Sequence, residues 1–95
     1  MGGVAAAIVG SMFSESRLQA ADLIARFVAG NVGEWEWDDF LSVTSPDPVT
    51  EAARRRCAVI RDDFPAFESG AYCGPVGVAA LSAVAEELRK QARDA

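Results

Sequence analysis

Apolar residues in this chain recur at spacings of three and four, and no stretch alternates apolar with polar residues between two turn signals. That periodicity admits helices and leaves nothing from which to build a sheet. Ala20, Leu23, Ile24, Phe27 and Val28 form one such stripe, Val49, Ala53, Cys57, Ile60 and Phe64 a second, and Val78, Leu81, Ala85, Leu88 and Ala92 a third. Apolar residues make up 51% of the 95, many of them alanine, which suits close helix packing around a single core.

Helix ends follow from local chemistry. Ser14 is placed to cap a first helix over residues 14–29, with Gly30 or Asn31 to stop it. A short second helix over residues 34–43 follows the turn at Gly30–Gly33. Ser45-Pro46-Asp47-Pro48 breaks the chain, and Asp47 before Pro48 is a strong start signal for a third helix reaching Phe64 ahead of Pro65. Residues 65–74 read as a loop, and Pro75 opens a last helix to about Arg93. The expected fold is all-α, a small four-helix bundle with one short helix. It occupies residues 12–95, and residues 1–11 are expected to be a loosely ordered lead-in, with Met12 an alternative start.

Within that lead-in, the apolar run Val4–Val9 is too short to span a membrane, and no charged segment precedes it as in a secretory signal. Ala6 stands where a myristoylation signal wants Ser or Thr. A cytoplasmic protein without membrane attachment is the resulting expectation.

The net charge is −5 and is unevenly spread. Residues 1–45 hold six acids against two arginines; the remainder holds eight acids against seven bases. Such a balance repels phosphates and attracts basic partners, so the expected partner is a basic protein and not nucleic acid. Arg54-Arg55-Arg56 spreads over about 200° of a helix and makes no single basic patch. No histidine is present, which removes the commonest general base and metal ligand, and Cys57 and Cys73 alone do not complete a zinc site. Neither a cofactor nor a metal is expected. The two cysteines are expected to be reduced and mostly buried, although a bridge between them stays open. Cys73, just before a helix start, also admits a reactive-thiol reading. Asp62 and Asp63 point about 100° apart and read as surface acids.

The run Glu34-Trp35-Glu36-Trp37-Asp38-Asp39-Phe40 carries the functional signal. Trp37, Phe40 and Leu41 share one helical face. Trp35 lies about 200° from Trp37, so the two indoles do not face the same core unless Trp35 sits in the turn and folds back. An outward Trp35 supplies contact area with few rotors, and Glu34, Glu36, Asp38 and Asp39 select a basic partner. The expectation is a non-enzymatic binding face made of Glu34, Trp35, Glu36, Asp38 and Asp39. The alternative is a self-associating structural or regulatory module, a homodimer held through the first helix and Val4–Val9.

Arg26-Phe27-Val28-Ala29-Gly30-Asn31-Val32-Gly33, leading into Trp37-Asp38-Asp39-Phe40, resembles small helical bacterial immunity proteins of the colicin-immunity-like families. There an amphipathic helix ends at a glycine turn and an acidic-aromatic helix follows. The likeness covers roughly residues 14–44 and implies a helical bundle that binds and blocks a cognate toxin.

Overall fold

The computed structural model describes the backbone of residues 2–94 and the side chains of residues 13–33 and 35–93. Its helices are α1 (Gly2–Val28), α2 (Glu34–Ser42), α3 (Pro48–Ala58), α4 (Ile60–Asp63) and α5 (Pro75–Asp94), and no strand occurs among the described residues. The chain is all-α, as its periodicity predicts. The backbone of residues 2–13 is already part of α1, so the first helix begins at Gly2 and not at a Ser14 cap; the side chains of Val4–Val9 lie outside those described.

α1 ends where the glycine allows. Gly30 has φ +79°, and the N–H groups of Gly30 and Asn31 bond the carbonyls of Phe27 and Arg26 at 3.0 and 2.8 Å. Those two bonds are a Schellman cap, which needs a residue in the left-handed region. α1 then packs antiparallel on α5: Arg17 reaches Gln91, while Phe27 and Val28 meet Val78 and Leu81 around one cavity.

The core joins Ala20, Ala21 and Ile24 of α1 to Leu81, Ala85 and Leu88 of α5, closed by Trp37, Ala53, Cys57, Ile60 and Cys73. Three of the four expected inward positions between Leu81 and Ala92 are thus core, Ala92 is also buried, and Val78 stays 39% exposed. Gly77 takes the inward place instead. A Cβ there would lie 2.9 Å from Cys73 Sγ and 3.0 Å from Phe64 Cβ, so only glycine lets α5 start this close to the loop.

The third helix is not continuous to Phe64. It breaks at Val59, whose φ of −102° and ψ of 1° separate α3 from the single turn of α4. Val59 is exposed, so no burial offsets the helix cost of a β-branched side chain there. After the break the Phe64 carbonyl accepts the Gly74 N–H at 2.8 Å, which closes the 65–74 loop.

Asp47 caps α3 as predicted, and it does more. Its carboxylate accepts the N–H groups of Val49 and Thr50 at 3.2 and 3.3 Å and the Thr50 hydroxyl at 2.7 Å. Arg17 of α1 grips the same carboxylate through Nε at 2.7 Å and Nη2 at 2.9 Å. The third Arg17 nitrogen, Nη1, donates to the Gln91 carbonyl of α5 at 3.2 Å. Asp47 is completely buried and Arg17 nearly so.

The Arg17 guanidinium and the capping donors hold the Asp47 carboxyl at about 2, below its ordinary 3.8. A lowered carboxyl stabilises the fold above the ordinary value, and that contribution fades as pH falls from about 4 towards 2. It amounts to about 2 kcal/mol. Thermal unfolding of Asp47→Asn should therefore show a lower midpoint at pH 7 and a flatter fall between pH 4 and 2 than the natural chain. Arg17→Met, which leaves the buried carboxylate without its partner, should cost about 3–5 kcal/mol. An Asp47→Asn chain with an unchanged acid profile would contradict this assignment.

Candidate protein-binding face on α2

α2 lies across the bundle by one face only. Trp37 is 4% exposed and stacks on Phe27, ring centroids 3.8 Å apart and planes 5° from parallel. Tyr72 from the 65–74 loop stands edge-on to both, at 4.9 Å from Phe27 and 6.2 Å from Trp37, and Phe40 tilts against Trp37 at 5.6 Å. This aromatic cluster fixes which way α2 faces. The far end of α2 is fixed by Arg54 of α3, whose Nη1 donates to the Leu41 carbonyl at 2.6 Å. The last carbonyls of a helix have no partner within it, and Arg54 supplies one. Glu51 holds Arg54 in place, accepts from Arg55 and the Ser45 N–H, and has its carboxyl lowered to about 2, with Arg54 the main cause.

With Trp37 inward, Trp35 points to solvent and is 80% exposed. Around it Glu36, Asp38, Asp39 and Ser42 line a shallow hollow of about 490 Å³. The structure thus brings together four of the five predicted site residues; the side chain of Glu34 lies outside those described. The four acids of the predicted rim are not equivalent. Glu36 is bound at 3.2 and 3.1 Å by Arg26, which also holds Asp22 at 2.9 Å. The Arg26 guanidinium keeps the Glu36 carboxyl below its usual range. Glu36 therefore ties α2 to α1, and its charge is already answered. Asp38 and Asp39 make no ion pair among the described residues, so the free negative charge of this face sits on them.

The other sequence candidates resolve into structural roles. Arg54 and Arg55 bind Glu51, and Arg56 binds Asp63 at 3.1 Å, so the arginine triplet is tied up on its own helices. Cys57 and Cys73 are both free thiols and both buried. Burial pushes the Cys57 thiol up to about 12 and raises that of Cys73, the opposite of what a nucleophilic thiol needs. No group of three or more metal-ligating side chains is found among the described residues, and no described helix is long and apolar enough to cross a membrane. Arg54, which closes the end of α2, and Arg17, which holds the bundle behind it, do not stand out as such in the sequence. Arg17 carried a signal, being the one charge in phase with Ala20, Ala21 and Ile24; Arg54 carried none, because its key partner is a backbone carbonyl.

Comparison with protein-family models, curated proteins and solved structures finds no match to this chain.

Alkylation with iodoacetamide at neutral pH should leave both cysteines unmodified in the folded protein and label both within minutes once denaturant is added. Selective labelling of Cys73 in the folded state, read by mass spectrometry, would restore the reactive-thiol reading.

Proposed function

We propose that this chain is a non-enzymatic acidic binding protein that docks on a basic protein through the outer face of α2. One observation carries the reading: a tryptophan left 80% exposed on a helix that buries its other indole, with the carboxylates of Asp38 and Asp39, which make no ion pair among the described residues, beside it. An indole this exposed leaves most of its apolar area in water, whereas at an interface the same side chain anchors a partner. Carboxylates without an intramolecular cation add long-range attraction to a basic surface. In its finer form the proposal is an immunity protein, cytoplasmic and bacterial, that neutralises a cognate toxin by filling or masking its basic site. The resemblance over residues 14–44 supports that form.

Affinity capture from the source organism tests it, with the natural chain against Trp35→Ala and against Asp38→Lys with Asp39→Lys. The natural chain should retain a basic protein. Each variant should lose about 30-fold or more in affinity, the loss expected for a central aromatic anchor, and capture should weaken as salt rises. Equal retention by all three chains would remove α2 as the docking face.

A second reading, self-association, is favoured by a groove of about 350 Å³ between α3 and α5, lined almost wholly by apolar atoms of Val49, Ala52, Ala53, Val84 and Leu88. Light scattering decides it. A dimer converted to monomer by Val84→Glu supports this reading, and a monomer at every concentration dismisses it.

A further inference from the structure

α1 outruns the helix it packs on. Arg17 meets Gln91, and Phe27 and Val28 meet Val78 and Leu81, which sets Ser14 level with Asp94 across the antiparallel pair. The backbone of Gly2–Phe13, about 18 Å of helix, therefore runs on past the last turn of α5. The molecule is accordingly 54 Å long against 23 and 19 Å across, although α5 itself spans only about 30 Å. This overhang carries no charged side chain. The first acidic or basic residue of the sequence is Glu15, and Val4, Ile8 and Met12 recur at every fourth place before it.

The apolar groove between α3 and α5 opens at the same end of the bundle. Pro48 and Gln91, beside the Arg17–Asp47 pair, stand at its mouth, and Val49, Ala52, Val84 and Leu88 continue it inwards. Glu87 is its one charged lining residue. From Gln91 to Val84 it follows about 10 Å of α5. α1 does not fill the groove of its own chain. It is one continuous helix, and Arg17 fixes it so that its first three turns lead past the end of the bundle.

We propose that the overhang of α1, Gly2–Phe13, lies in the α3–α5 groove of a second copy of this chain, which returns the contact. This rests on the self-association reading and names what fills the groove. An uncharged helix suits an apolar groove, where a charged one would bury unpaired groups. The overhang is longer than the groove and occupies it from end to end. Glycine at positions 2, 3 and 10 and alanine at 5, 6 and 7 allow a helix axis to come close to α3 and α5. A two-fold axis makes the contact twice, which doubles the area that holds the pair together. The groove shares no residue with the hollow around Trp35, so the dimer leaves the α2 face open.

Sedimentation velocity on the full chain, at tens of micromolar, tests this with two substitutions and their mixture. The natural chain should sediment as a dimer. Ile8→Glu in the overhang and Ala52→Glu, at an exposed position of the groove wall, should each weaken dimerisation about 100-fold or more, because each buries an unpaired charge at the contact. An equal mixture of the two should form a dimer tighter than either variant alone. There the intact overhang of the Ala52→Glu chain meets the intact groove of the Ile8→Glu chain, and that recovery shows both variants to be folded. A natural chain that stays monomeric, a dimer that survives either substitution, or a mixture without recovery would each overturn the proposal. The two readings fail differently. A dimer dissolved by Ala52→Glu but not by Ile8→Glu keeps the groove as the interface and removes the overhang from it. A natural chain that is monomeric at every concentration removes both.

Discussion

A single buried carboxylate holds three helices in register. Asp47 is where α3 begins, Arg17 reaches it from the middle of α1, and the same guanidinium continues to the carbonyl of Gln91 near the end of α5. A charge taken out of water is costly, and it persists here because its hydrogen-bonding capacity is used: five donors converge on the carboxylate, two of them from a planar fork. The pair is therefore better understood as a registration device than as a source of net stability. It sets how far α1 is slid along α5, and with it where Phe27 stands to meet Trp37.

Arg54 repeats the same device at lower cost. Both arginines donate to a carbonyl in the last turn of a helix other than their own, while a carboxylate holds them in place. α2, at nine residues, is too short to persist alone in water. It is a helix because Trp37 anchors its inner face and Arg54 closes its end. The indole N–H of Trp37 finds no hydrogen-bond partner among the described residues, so its anchoring comes from the stacked and edge-on rings around it. A helix held at one face and one end leaves its remaining face rigidly presented, as a docking surface requires.

Periodicity is enough to find the helical stripes and most of the core, but not that α1 begins at Gly2 or that the third helix breaks before Phe64. The stripes in α1, α3 and α5 are there, and the 200° between Trp35 and Trp37 divided the acidic-aromatic run into an inner and an outer half as it does in the fold. What periodicity does not carry is partnership between distant residues. Glu36 and Asp38 look alike in sequence, yet Arg26, ten residues upstream of Glu36, answers that one, while no cation among the described residues answers Asp38. Asp47 reads as a cap and nothing more until α1 brings Arg17 to it. The break at Val59 is invisible for a related reason. The stripe Ala53, Cys57, Ile60 runs through it unchanged, and the turn depends on where Phe64 must sit against Gly77 and Gly74.

The opposed placement of the two indoles has a spectroscopic consequence. Trp37, sealed among Phe27, Phe40 and Tyr72, will emit in the blue and resist collisional quenchers, while Trp35 emits from water and is open to them. With no third tryptophan in the chain, the two signals separate cleanly. Loss of the core and covering of the α2 face are thus two differently coloured events in one unlabelled protein.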